Sequence, residues 1–224
     1  MLETLKSEVA AVAKRAQRDG LCKHKSGNFS ARDAQTGYVV ISPTGVDREQ
    51  LRAKDMVVMD SDARVVESLS GLRPTSEALM HLKLYEIRPE LGAVVHTHSM
   101  YATVFAVLDK PIPALVYEMF HLNCSKARIP VAPYGRPGTA ALAESVVGVC
   151  SEADVFLLKG HGAVAVDADT IDGAYLKACY IEELAELYHH VLTANNGVEP
   201  EVFPEEELQK WEYPKEILMD EGCR

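Results

Sequence analysis

Apolar residues in the first twenty positions recur at helical spacing. Leu5, Val9, Val12 and Ala16 share one stripe of residues 2–18 and Gly20 offers a stop, so the pattern predicts a surface helix with one buried face. The period then shortens. Runs rich in β-branched residues at 38–41, 56–59 and 63–66 are separated by the turn formers Pro43-Thr44-Gly45 and Asp60-Ser61-Asp62, and read as sheet strands. A helix is expected over 75–88, stopped by Pro89, followed by a strand over 91–98 that ends in His-Thr-His-Ser. Further helices are expected over 101–108, near 139–150 and over 169–194, with strands at 155–158 and 163–166 around Gly160-His161-Gly162. Residues 26–30 and 42–45 read as turns, and the acidic tail from Glu199 carries Pro204, Trp211, Tyr213 and Pro214, enough apolar content to dock.

The helices and strands alternate without regular βαβ spacing and without a GxGxxG segment, which argues against a dinucleotide fold. The expectation is one α/β domain spanning 1–224, layered α/β/α. A length of 224 residues, 47% of them hydrophobic, supplies one core without covalent staples. The 23 basic and 33 acidic residues give a net charge of −10, mixed along the chain, which disfavours nucleic acid as a partner but leaves room for a local anion pocket. Five cysteines, with no CxxC pair, read as reduced thiols. The start of the chain lacks the apolar core of a signal peptide, and no stretch of 18 apolar residues occurs, so a cytoplasmic protein with no membrane partner is expected.

Candidate chemistry starts with His96 and His98. Two residues apart on a strand, they point to the same side, and two imidazole nitrogens converge. Such a pair also occurs as hydrogen-bonded core histidines. His161 adds a third imidazole between two glycines that permit close approach. Three histidines suit zinc, which wants a fourth ligand, and Glu77, read as lying on the first turn of the helix after Thr75-Ser76, is the candidate. Alone, Glu77 could equally answer the helix dipole. His81, one turn beyond, is a rival ligand and is ranked as a supporting or core residue. Hydroxyls and backbone N–H groups at Thr75-Ser76, with the turns at 26–30 and 42–45, suit a phosphate. A Schiff base on Lys159 is disfavoured, because nothing nearby desolvates an amine.

Gly27-Asn28-Phe29-Ser30, Pro43-Thr44-Gly45, Pro74-Thr75-Ser76-Glu77, His96-Thr97-His98 and Gly160-His161-Gly162, in this order and spacing, resemble the zinc-dependent class II aldolase and aldolase–epimerase family typified by L-fuculose-1-phosphate aldolase. The resemblance runs from about residue 5 to residue 213. It implies a three-layer α/β/α fold with a central, largely antiparallel sheet. It implies one Zn2+ per subunit, replaceable by Mn2+ or Co2+, held by His96, His98, His161 and Glu77. Glu77 would also carry the proton, and Tyr117, from a neighbouring subunit of a homotetramer, would act as acid on the departing aldehyde. Tyr213 matches a second tyrosine. Gly27, Asn28, Thr44, Gly45, Thr75 and Ser76 match the phosphate-binding positions, and Lys25 adds a charge beside them.

The implied reaction is reversible aldol cleavage of a ketose 1-phosphate, of the L-fuculose-1-phosphate type, to dihydroxyacetone phosphate and a small aldehyde. Family alternatives are 4-epimerisation of a pentulose 5-phosphate, dehydration of methylthioribulose 1-phosphate and decarboxylation of a phosphorylated keto acid. An adducin-like interaction module is the non-catalytic alternative, and it has no reason to keep three histidines, a carboxylate and a phosphate cradle together.

Overall fold

The computed structural model describes residues 1–208 and 210. An eight-stranded sheet runs through it in the order β4-β3-β2-β1-β5-β10-β9-β8. Its strands are β1 (Asn28–Arg32), β2 (Val39–Ile41), β3 (Val57–Met59), β4 (Val65–Glu67), β5 (Ala93–Thr97), β8 (Val131–Ala132), β9 (Val155–Leu158) and β10 (Gly162–Asp167). Every neighbouring pair is antiparallel except β8 with β9. Two further short strands, β6 (Ile112–Pro113) and β7 (Arg128–Ile129), pair with each other apart from this sheet.

Alternation along each strand divides the core into two layers. Ala31, Val40, Val58, Val95, Leu157, Ala163 and Ala165 face one cluster, which takes in the buried stripes of α1 (Glu3–Arg18), α3 (Met100–Leu108) and α6 (Ile171–Ala194). Val39, Ile41, Val57, Met59, Val94, Phe156, Leu158, Val164 and Val166 face the other, under α2 (Ala78–Ile87), α4 (Ala140–Ser145) and α5 (Val147–Cys150). Each large apolar side chain so covered contributes about 1.5–3 kcal/mol relative to exposure. A short helix α7 (Glu205–Leu208) follows, and its Leu208 is buried against the first layer. The three-layer arrangement around a mostly antiparallel sheet is as the sequence implied.

Several expectations shift. Residues 26–30 are not simply a turn, because Asn28 opens the central strand β1. The helix expected from Thr75 begins at Ala78, with Glu77 at its N-cap and therefore ahead of the first turn. The single helix expected over 139–150 is broken at Val146 into α4 and α5. Trp211, Tyr213 and Pro214 lie outside the described residues. Among the described residues no helix is long and apolar enough to cross a membrane.

Candidate active site

Three central strands and the start of one helix deliver the functional side chains. In β5 the even positions face the α2 layer, so His96 follows Val94 onto that side, and His98, one residue past the strand end, does the same. The hairpin from β9 to β10 turns through Lys159-Gly160-His161, with Gly160 in the left-handed region at φ +64°. Gly162 then pairs beside β5, and a Cβ there would meet the Thr97 carbonyl oxygen at 2.3 Å, the His98 ring at 3.2 Å and the His96 ring at 3.3 Å. Only glycine allows this approach. As a result the three imidazoles pack edge to face with centroids 4.7–4.9 Å apart, and their ligand atoms lie within 4.8 Å of one another.

Glu77 closes the fourth side. Its Oε1 lies 3.2 Å from His161 Nε2 and its Oε2 3.2 Å from His96 Nε2, while His96 and His98 bring their Nε2 atoms to 3.0 Å. Donors about 2.0–2.1 Å from a shared tetrahedral centre stand about 3.3 Å apart, so these separations fit a single divalent ion. The ring orientations agree. His96 Nδ1 sits 2.9 Å from the Ala163 carbonyl oxygen, which only an N–H can satisfy, and this leaves Nε2 bare for a metal. Burial holds His96 well below the usual imidazole range. It also lowers His98, helped by the nearby His161. Both rings are therefore neutral, as ligands must be. For Glu77, burial pushes the carboxyl up, but the His161 hydrogen bond, the electrostatic pull of the adjoining His96 ring and the Asn28 hydrogen bond outweigh it and hold it far below its ordinary value. The site thus gathers three imidazoles and one carboxylate.

The anion-binding candidates lie on loops woven together beside Glu77. Thr75 N–H donates to Ser42 O at 3.0 Å and Thr44 N–H to Arg73 O at 3.1 Å, while Phe29 N–H donates to Ser42 Oγ at 3.0 Å. Arg48, which sequence reasoning passed over, is buried behind them. Its guanidinium donates to the carbonyls of Lys25, Gly27 and Val46, and so ties the turn before β1 to the turn after β2. Gly27, at φ +74°, has Cys22 Sγ and the His96 carbonyl oxygen where a Cβ would go. Thr44, Gly45 and Ser76 are exposed, Thr75 is buried, and the N–H groups of Gly45 and Ser76 make no hydrogen bond among the described residues. Outward-facing donors of this kind are what a phosphate requires.

Asn28 is placed differently from a simple phosphate donor: its side-chain amide is turned inward, onto Glu77 and His81. Lys25 is exposed. Tyr117 is 48% exposed at the start of a 3-10 turn, Tyr117–Leu122. Tyr213 lies outside the described residues. Lys159 is half-exposed and ion-paired with Asp109, which is the opposite of a desolvated reactive amine. His121, His189 and His190 are exposed and stand by aromatic rings, away from the cluster.

Residues 7–189 match the family described as "Class II Aldolase and Adducin N-terminal domain". The chain belongs to the class II aldolase family. It is thus an enzyme of the metal-dependent aldolase class, a lyase. It is 33% identical over 209 residues to a 5-deoxy-D-ribulose 1-phosphate aldolase of Bacillus thuringiensis serovar kurstaki, covering 93% of this chain and 94% of that one. A shorter match, 46% identical over 114 residues, covers 51% of this chain and 49% of an L-ribulose-5-phosphate 4-epimerase of Salmonella paratyphi C. Among solved structures, an L-fuculose 1-phosphate aldolase superposes with a TM-score of 0.84 at 32% identity, covering 92% of this chain and 93% of that one.

Proposed function

We propose that this class II aldolase reversibly cleaves a ketose 1-phosphate to dihydroxyacetone phosphate and a small aldehyde, with zinc as its metal. The observation that carries the reading is the convergence of His96, His98, His161 and Glu77, with contacts of 3.0–3.2 Å linking them, directly beside loops whose hydroxyls and amides face outward. When bound, zinc supplies Lewis acidity that stabilises the negative charge left on the ketose fragment as the carbon–carbon bond breaks.

The chain's own groups do the rest. The amides of Gly45 and Ser76 and the hydroxyls of Thr44, Thr75 and Ser76 bind the phosphate, with Gly27 and the backbone of Asn28 lining the same cradle. Arg48 holds the loops in place, and Lys25 adds charge at the rim. Anchoring the phosphate fixes the distance between the ester and the reacting carbons. Glu77, held as a carboxylate, accepts the proton at the nucleophilic carbon in the synthetic direction and returns it after cleavage. Tyr117, exposed on its own subunit, serves a neighbouring subunit of a homotetramer as the acid and base at the aldehyde oxygen, and Tyr213 supports it.

The 46% match to an epimerase favours one second reading. Pentulose 5-phosphate 4-epimerisation breaks and remakes the same kind of bond without releasing aldehyde. By the family resemblance the 4-epimerases carry aspartate at this position, so the longer carboxylate of Glu77 supports the lyase. The decisive assay offers the zinc-loaded protein a panel of ketose 1-phosphates and pentulose 5-phosphates and couples dihydroxyacetone phosphate release to a dehydrogenase. Release from a 1-phosphate, with the 5-phosphates unchanged, is the expected outcome. Interconversion of 5-phosphates with no triose released would replace this reading with the epimerase.

A further inference from the structure

Behind Glu77 the α2 face of β1 is polar, whereas the neighbouring positions Val39 and Ile41 of β2 and Val94 of β5 on that layer are apolar. Asn28 and Ser30, two apart on the strand, face His81 and Tyr85, one helical turn apart on α2, and all four are buried. Asn28 Nδ2 donates to Glu77 Oε2 at 2.9 Å, Asn28 Oδ1 lies 2.5 Å from His81 Nε2, His81 Nδ1 lies 2.7 Å from Ser30 Oγ, and Ser30 Oγ lies 2.8 Å from Tyr85 OH. The chain is continuous from the phenol to the carboxylate.

The donors in this chain follow from the chemistry of each group. A carboxylate accepts only, so the Asn28 amide must turn its NH2 to Glu77 and its oxygen to His81. That oxygen also accepts only, so His81 Nε2 carries a proton. In a neutral imidazole the other nitrogen is then bare, and Ser30 must donate to Nδ1. Ser30 has a lone pair left, which Tyr85 OH fills. Every hydrogen bond therefore points the same way, from Tyr85 through Ser30, His81 and Asn28 to Glu77.

We propose that His81 is the positioning residue of this chain: its Nε2–H tautomer, set by Ser30 and Tyr85, locks the Asn28 amide in the one orientation that donates to Glu77. Rotated by half a turn, the amide would set its oxygen against the carboxylate, and two acceptors would repel each other. Glu77 has to stay ionised and aimed while it exchanges partners during proton transfer, and Asn28 is the contact that can travel with it. Burial fits the neutral ring, since it pushes His81 down to about 4, against the pull of Glu77. Among the described residues the groups at the His81 ring are Asn28, Ser30 and, through Ser30, Tyr85, with Glu77 one turn before it on the same face.

The inference rests on the aldolase reading for its kinetic consequence and on geometry alone for the tautomer. Two measurements separate these. Nitrogen-15 NMR of the metal-free protein, with the His81 signal assigned by its loss in His81→Gln, is expected to show Nε2 protonated and Nδ1 bare at neutral pH. A protonated Nδ1, or an imidazolium, would overturn the proposal whatever the enzyme does. In the retro-aldol assay of zinc-loaded protein, His81→Phe is expected to lower kcat about 10- to 100-fold with KM changed less than about twofold, the scale on which outer partners of metal sites act. His81→Gln, which can donate to Asn28 and accept from Ser30, is expected to recover most of that loss. An active wild type with an unchanged kcat in His81→Phe defeats the inference alone, whereas a wild type that cleaves no ketose 1-phosphate defeats the aldolase reading and leaves the tautomer test standing. If His81→Phe fails to fold, Ser30→Ala, which removes the donor to Nδ1, is expected to lower kcat in the same direction, and an unchanged kcat there counts against the proposal.

Discussion

Between the Thr97 carbonyl oxygen and the rings of His96 and His98 there is no room for even a methyl group on residue 162, and the imidazoles meet because glycine stands there. The His-Thr-His and Gly-His-Gly patterns were legible because each is local: strand alternation and a glycine-flanked hairpin act over a few residues. The partners of Glu77 were not. Asn28 is 49 residues away and His81 reaches Asn28 across 53, so no spacing rule links them. Glu77→Gln is expected to keep the packing, since an amide fills the same volume, but to lose the proton acceptor. Retro-aldol kcat should fall about 10²- to 10⁴-fold with KM changed little and far-UV circular dichroism unaltered. Full activity in Glu77→Gln would remove the proton-carrying role assigned to it.

At the scale of elements, β1 shows why one central strand escaped notice. Phe29 and Ala31 alternate with Asn28 and Ser30, the period of a strand with one wet face, yet the polar face is buried against α2 and serves the site. Polarity there marks chemistry and not solvent. The start of α2 differs for a related reason: Pro74 bridges Pro43 and Thr75 N–H donates to Ser42 O, which holds this stretch extended, so the helix winds only from Ala78, and Glu77 is left at its mouth, close to the histidines.

Elsewhere, one carboxylate ties the layers together. Asp154, just before β9, accepts from Arg88 at the end of α2 at 2.6 Å, from Lys177 on α6 at 2.7 Å and from Asn123 at 2.6 Å. Burial raises its pKa, but the hydrogen bonds from Lys177, Arg88 and Asn123 prevail and hold it below its ordinary value. Its folded pKa is thus depressed, so its stabilisation is present above the unfolded carboxyl value of about 3.9 and is lost as pH falls through the lower folded value. Asp154→Asn should cost about 2–3 kcal/mol at neutral pH, less than a fully buried pair because Arg88 can still reach water. It should also flatten the loss of stability below about pH 4. Urea midpoints of both proteins at pH 7 and in the acid limb check this, and parallel curves would contradict it.

Across the whole molecule, function collects where the middle of the sheet meets the α2 layer. β1, β5 and β10 lie side by side there, with Asn28 opposite His96 and His96 opposite Val164 in register. The net charge of −10 is compatible with the proposed anion site because outward-facing loop amides and hydroxyls, tied from behind by the buried Arg48, set the local surroundings there and the surface average does not. Composition and patterning could give the layers, and the motifs the three histidines that cluster. The strand order could not be read, because it depends on pairings between segments as far apart as β1 and β5 or β5 and β10. The proposed chemistry needs these strands to close one tetrahedral cage. X-ray absorption at the zinc edge of the stoichiometrically loaded protein reads that cage directly. Three nitrogen scatterers of imidazole type and one oxygen at about 2.0–2.2 Å are predicted, with one imidazole lost in His161→Ala. A zinc bound through fewer than three imidazoles, or a spectrum unchanged in His161→Ala, would contradict it.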